Sequence, residues 1–505
     1  MIRAFIIFAL LFFFAPGVAF AVSGDPAAGK EIYAKRCWWC HGKDGAGDGP
    51  AAEFLSPPPR DFTLGLYKWK TTPFDEMAPG DQDLYKMISG YSHDSMPGWN
   101  GMNDTSMPGW SDVLSDKEIW DLAAYLKGLS GLEPPEKPTI GIKPQKASKE
   151  SIERGRDTFK DRCAECHGEE GMGDGIKKLK DDWGARTWPR NLTKGWTYRA
   201  GSSAGDIYTR ITVGIPGTQM PSFADPQSKK KLSDGERWDV ANYVASLNAA
   251  YKKPGDESFI RAAKVEGRLP EEANDSLWDK AEFTSFYLVP QLIADERQFR
   301  PTLNSLSVKA LYNENEIAFL VEWDDATRSA PGDEKSIELA DGEVFRDGVA
   351  IEFPATTGKE NEKPYFGMGD SRPVVIWHWQ SEEGAGLSQS SKVIRARGFK
   401  NLEEAAPAVP ARGRYEKGRW RVIFKRPLRP SDENDIGFEE GRFIPVAFAA
   451  WDGSNGDRGG KHAMTGWHSV ILERKAGSKA YAWVAGAVVA VFLLELLWLK
   501  SARRD

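Results

Sequence analysis

All four cysteines of the chain fall in two five-residue stretches, Cys37-Trp38-Trp39-Cys40-His41 and Cys163-Ala164-Glu165-Cys166-His167. In each, two thiols stand three positions apart and a histidine follows the second. On one helical turn the two sulfurs can bond the two vinyl groups of one porphyrin while the adjacent imidazole faces the iron. The spacing therefore reads as covalent attachment of a c-type haem, with Cys37, Cys40, Cys163 and Cys166 as attachment points and His41 and His167 as axial ligands. A zinc or redox CxxC is the competing interpretation, but both pairs carry the trailing histidine and no cysteine is left over. A second axial ligand must come from elsewhere, and a methionine sulfur is the usual partner, raising the potential relative to a second nitrogen. Met220, in Gly217-Thr218-Gln219-Met220-Pro221, answers this for the second motif, since Met172 follows Cys166 too closely to cross to the other face. For the first motif two candidates remain. Met96 and Met107 lie in near-identical segments, Ser95-Met96-Pro97-Gly98-Trp99 and Ser106-Met107-Pro108-Gly109-Trp110. Met107 is favoured because it stands close before a capped helix, and the loop residue His93 is a further competitor.

The elements that position these residues repeat. Residues 22–132 read as a small helical domain whose last helix opens at Ser115, with Glu118 completing a capping box. Ile119, Leu122, Ala123 and Leu126 share one face of it at helical spacing. Residues 133–149, rich in Pro and Lys, read as a linker. Residues 150–250 repeat the plan: Gly168–Gly175 mirrors Gly42–Gly49, and Ser233 mirrors Ser115. Beyond residue 270 the pattern changes to short apolar runs: 306–312, 317–323, 349–353, 374–379, 420–424 and 444–449. These are predicted strands, and residues 270–475 are expected to form an all-β antiparallel sandwich. Nineteen tryptophans suit either cofactor pockets or sandwich cores.

The chain has 505 residues and a net charge of −6, too long for a single core and unsuited to nucleic acid. Residues 1–21 carry a basic start, an apolar run and a small-x-small site, so a secretory signal is expected. Residues 480–499 are apolar over a bilayer's thickness, with aromatics near the ends, and are expected to form a transmembrane helix. The bulk would then face the extracytoplasmic, periplasmic side, where c-type haem is attached, and residues 500–505 the cytoplasm.

The haem motifs, Gly/Asp loops, Met-Pro steps and aromatic-bearing last helices resemble two class I cytochrome c domains in tandem. Further on, Asp324-Asp325, Asp347-Gly348, Tyr365-Phe366-Gly367-Met368-Gly369-Asp370, Ile376-Trp377-His378-Trp379 and Trp451-Asp452-Gly453-Ser454 resemble the haem b-binding domain of the ethylbenzene dehydrogenase gamma subunit. Related subunits occur in DMSO reductase-family complexes such as nitrite oxidoreductase. The resemblance implies a sandwich holding one non-covalent haem b between Met368 and Lys461. A lysine ligates only when neutral, and the adjacent His462 is an alternative. His378 and His468, on predicted strands, are expected to be satisfied structural histidines. No nucleotide fingerprint is present.

The expectation is a multidomain protein: two all-α cytochrome c domains, one all-β haem-binding sandwich and one C-terminal transmembrane helix. Two covalent haem c and one haem b would make it an electron-transfer subunit without a catalytic residue of its own. The resemblance implies iron–sulfur and molybdenum catalytic subunits on one side, and a soluble cytochrome or terminal oxidase on the other. A dihaem peroxidase with an open iron, or a sandwich without haem that serves only for docking, are the alternatives.

Overall fold

The fold is taken from a computed structural model of the whole chain. It describes residues 24–473 apart from 91–100, 138, 176, 185, 249–252, 256–258, 356–362, 364–367, 369–371, 383–386, 389–390, 406–408 and 431–434, together with six positions between 486 and 495. The expected signal at 1–21, Met96, His93 and most of the expected span at 480–499 lie outside the described residues. Among those described, no helix is long and apolar enough to cross a membrane.

Each helical domain is built on one crossing. In the first, α1 (Pro26–Arg36) packs on α3 (Asp116–Ser130), with α2 (Asp81–Ser89) against the latter. In the second, α4 (Lys149–Arg162) packs on α6 (Asp234–Asn248), with α5 (Ala204–Val213) alongside. Capping residues fix where the helices begin. Asp25 accepts from Ala27 N, and Ser115 and Glu118 form the expected capping box. The crossing itself requires glycine. A Cβ on Gly29 would lie 2.0 Å from the Asp121 carbonyl oxygen, and one on Gly155 would lie 2.0 Å from that of Asp239. The backbones touch there, and Tyr125 and Tyr243 pack beside the contact. Ile119, Leu122, Ala123 and Leu126 are buried as their spacing predicts.

The β-domain has two facing sheets that share a strand. The first runs in the order β8 (Ala411–Tyr415), β9 (Arg419–Pro427), β4 (Glu316–Asp324), β3 (Ser305–Tyr312), β1 (Phe259–Lys264), β12 (His468–Leu472), β10 (Phe443–Trp451), with β2 (Thr284–Tyr287) also on β3. The second runs β10, β5 (Gly348–Pro354), β6 (Val374–Gln380), β7 (Ser391–Ala396), with β11 (Ala463–Met464) also on β10. β10 belongs to both: Phe443–Val446 pairs with β12, and Ala447–Trp451 pairs with β5. All six predicted strands form. The sheets are not wholly antiparallel, however, because β1 pairs parallel with both β12 and β3. Parallel neighbours need a crossover of a dozen or more residues, which the segment 265–304 supplies on the way to β3.

The tryptophans fill the space between the sheets. Trp323, Trp377, Trp379 and Trp420 are fully buried, and Trp323–Trp379 (6.2 Å) and Trp377–Phe424 (6.4 Å) meet across the layers. Such rings bury a large apolar area each and dominate core energetics.

Candidate haem-binding sites

Each CxxCH motif sits on a short helix (Trp38–His41, Ala164–His167) just after the crossing helix of its domain. The four thiols are free and half-buried. Burial pushes Cys37 and Cys163 up to about 12. Redox CxxC motifs instead lower a thiol's pKa, so Cys37 and Cys163 are shifted away from redox thiolates. His41 Nδ1 lies 3.0 Å from the Arg60 carbonyl, and His167 Nδ1 lies 3.1 Å from the Arg190 carbonyl. Burial holds both imidazoles below their ordinary pKa. A ring whose Nδ1–H donates to a backbone carbonyl keeps its lone pair on Nε2, the arrangement of metal-binding histidines. The donor set of two thiols and one neutral imidazole therefore fits covalent haem at both positions.

The methionine loops are superposable in their hydrogen bonding. Thr218 Oγ1 accepts from Met220 N at 3.2 Å and donates to the Ile215 carbonyl at 2.7 Å. Thr105 Oγ1 accepts from Met107 N at 3.1 Å and donates to the Met102 carbonyl at 2.9 Å. The Met220 carbonyl accepts from Ile215 N, and the Met107 carbonyl from Met102 N. Three residues on, Phe223 N bonds the Ile211 carbonyl of α5, and Trp110 N bonds the Ile88 carbonyl of α2, each at 3.0 Å. Met107 thus occupies in the first domain the position Met220 occupies in the second. The signal was legible as Thr-x-Met, which Met96 lacks: its segment reads Asp94-Ser95-Met96. Met172 is buried near Arg419 of the β-domain.

The segments that hold the two histidines meet the opposite domain. Arg60, whose carbonyl holds His41, packs its guanidinium over the Trp183 ring of the second domain at 4.3 Å. Arg190, whose carbonyl holds His167, reaches Asp104 of the first domain at 2.6 Å. Burial works against the Asp104 carboxylate, but Arg190 and Arg199 outweigh it and hold its pKa below the ordinary value. The second domain docks on the β-domain through Asp324. Its Oδ2 receives Lys194 Nζ at 2.7 Å and Asn191 Nδ2 at 3.0 Å, and its Oδ1 receives Arg419 Nε at 2.7 Å.

The β-domain has an unusual outer face. On β5, β6, β7 and β10 the residues turned away from the core include Ala350, Val374, Ile376, Ala396 and Ala447, all buried. Met368, Ile394, Ala449, Trp451 and Trp467 pack on this face. The small side chains leave a platform rather than a filled core. Polar atoms around it lack partners among the described residues: Glu352 Oε1 and His378 Nε2 are buried without hydrogen bonds. Burial raises Glu352 to about 7 and lowers His378 to about 4. The expectation that His378 and His468 are satisfied is therefore corrected. His468 Nδ1 is also buried without a partner, its ring 4.1 Å from Phe286. An apolar face, a thioether, the imidazole of His378 and an orphaned carboxyl fit a flat, amphipathic cofactor, whereas His468, paired with Val446 and packed on Phe286, faces the core. Met368 lies on this face, whereas Lys461 Nζ bonds the carbonyls of Asn455 (2.9 Å) and Gly456 (3.3 Å).

A buried acid cluster missed by sequence reasoning supports the loops nearby. Asp325, Asp347 and Asp452 bring carboxylate oxygens within 4.8 Å of one another. Asp347 accepts from Ser329 N, Trp420 Nε1 and Gly453 N, and Asp452 from Ser454 and Asn455 N. Burial drives Asp325 and Asp347 well above the ordinary carboxylate range, and the neighbouring carboxylates add to it. The sequence signal was the trio of Asp-containing segments already noted, whose meeting only the fold reveals.

Comparison with known proteins agrees with this geometry. The cytochrome c family matches residues 26–130 and 152–248, and the ethylbenzene dehydrogenase family matches residues 275–401 and 391–463. The chain joins two cytochrome c domains to an ethylbenzene dehydrogenase-family domain. It is 29% identical to the chlorate reductase subunit gamma of Ideonella dechloratans, over 42% of this chain and 83% of that one. It is 31% identical to the dimethylsulfide dehydrogenase subunit gamma of Rhodovulum sulfidophilum, over 23% of this chain and 43% of that one. Among solved structures, a chain of the reducing HAO-like protein complex of Kuenenia stuttgartiensis is 36% identical, covering 44% of this chain and 95% of that one, with a TM-score of 0.38.

Proposed function

We propose that this chain is a multihaem electron-transfer subunit of a periplasmic molybdoenzyme complex, exported by residues 1–21 and anchored by residues 480–499. It would carry two covalent haem c and one haem b, and connect the iron–sulfur and molybdenum subunits to a soluble cytochrome or terminal oxidase. When bound, haem supplies one-electron chemistry between ferric and ferrous iron. The chain does the rest. Cys37, Cys40, Cys163 and Cys166 fix the porphyrins, and the Arg60 and Arg190 carbonyls orient His41 and His167. Thr105 and Thr218 fix the loops of Met107 and Met220.

The observation that carries the proposal is that each helical domain holds both a histidine oriented by a backbone carbonyl and a methionine loop docked by the same hydrogen bonds. A haem held by both residues would have no position left for substrate. The gamma-subunit relatives support assembly with catalytic subunits, and the platform around Met368 supports the b-type site. Purification of the native membrane complex tests the proposal. Co-purification of molybdenum and iron–sulfur subunits is expected, and isolation of the chain alone from gently solubilised membranes would contradict it.

A further inference from the structure

The second axial ligand of the β-domain site is decided by which side chains share a face with Met368. Met368 sits at the end of the platform marked by Val374 and Ala396, its carbonyl accepting from Gly398 N. The opposite end is marked by Trp451, paired with Gly348. The ring of His462 lies 4.7 Å from Trp451, and that of His378 lies 4.8 Å from it. Val374 and His378 are four residues apart on β6, roughly 13 Å at about 3.3 Å per residue. Between the two ends Ala350 and Ala449 stand side by side.

Lys461 and His462 leave the chain in opposite directions. Ala463 belongs to the core between the sheets, so by strand alternation His462 faces outward. Lys461 turns the other way. Its ammonium donates to two backbone carbonyls and lines, with Asp325 and Asp452, a cleft of about 910 Å³ between the β-domain and the helical domains. An ammonium so engaged offers no lone pair to a metal. His462, buried, has its Nδ1 3.0 Å from the Gly459 carbonyl, the same device that orients His41 and His167. Its Nε2 then carries the lone pair. The Nε2 of His378 is turned towards its own sheet: a Cβ on Gly348 would lie 3.4 Å from it.

We propose that His462, not Lys461, is the axial ligand opposite Met368 in the non-covalent haem site. The proposal rests on the three-haem reading above. The test uses the native complex, with pyridine haemochrome to count haem b and near-infrared magnetic circular dichroism to tell imidazole–thioether from amine–thioether ligation. Wild type should show one haem b per chain with an imidazole–thioether signature. K461A and H378A should keep both. H462A should lose the b-type low-spin signal, and H462G should regain it when imidazole is added. An amine–thioether signature in wild type, or loss of haem b in K461A or H378A but not in H462A, overturns the ligand assignment and leaves three haems standing. Absence of haem b from wild type overturns the three-haem reading together with it. The wild-type spectrum decides even if a variant fails to fold.

Discussion

At the scale of single residues the chemistry rests on side chains held by backbone carbonyls and threonine hydroxyls. His41, His167 and His462 each set their tautomer through a main-chain oxygen, and Met107 and Met220 each follow a threonine that braces the loop. Replacing either methionine by alanine should abolish that domain's share of the sulfur-to-iron charge-transfer absorption and lower its potential. Loss of the band in neither M107A nor M220A would contradict the pairing. The buried acids make a second residue-scale prediction. Burial raises Glu352 and Asp457 to about 7, and raises Asp325 and Asp347 well above their ordinary value. A carboxyl whose folded pKa is raised favours the folded state while protonated, and that contribution is lost as pH rises through the folded value. Each acid should therefore withdraw stability between about pH 4 and 7. His378, His462 and His468, which burial lowers to about 4, add stability over the same range as the unfolded chain's imidazoles lose their protons. The acid contribution is isolated by comparison, and Asp325→Asn should gain stability on the wild type as pH rises through that range. Unfolding midpoints of both proteins measured across that range check it, and a difference between them that does not change with pH would refute it.

The elements were legible to different degrees, for physical reasons. Helix starts such as Ser115 and core faces such as Ile119–Leu126 follow from local chemistry and the 3.6-residue period, and they form where expected. Strands with strong apolar runs, β4 and β6 for example, were equally plain. β1 was not, because Phe259-Ile260-Arg261-Ala262-Ala263-Lys264 carries no sign that its neighbours lie far along the chain and run parallel. The covalent haem motifs are contiguous in sequence and need no fold to be seen. The β-domain site is not contiguous: the outward turn of His462 and the inward turn of Lys461 depend on the register of β11 against β10. Close helix crossing is likewise a property of the fold. Gly155→Ala places a methyl group against the Asp239 carbonyl and should destabilise the second domain by about 1–3 kcal/mol, the usual cost of overpacking. A denaturant midpoint equal to wild type would show that the helices can part without cost.

At the scale of the whole molecule, the three domains are joined by contacts that begin at the haem-holding loops. Arg60 and Arg190 connect the helical domains in both directions, and Lys194, Asn191 and Arg419 converge on Asp324. Lys194 and Asp324 are both about nine-tenths buried. Removing one partner of such a pair costs about 3–5 kcal/mol because a charge is left behind. Arg419 remains to Asp324 and reduces that figure. Lys194→Met should thus loosen the docking of the second domain on the β-domain, seen as faster proteolysis around residues 249–258 with the haem c spectra unchanged. Equal proteolysis rates would mean that other contacts carry the docking. Under the proposed function the chain caps its own irons and so carries electrons instead of turning over a substrate. Carbon monoxide added to the dithionite-reduced, purified complex tests this most directly: no rapid binding to this chain's haems is predicted, and rapid, stoichiometric binding would contradict it.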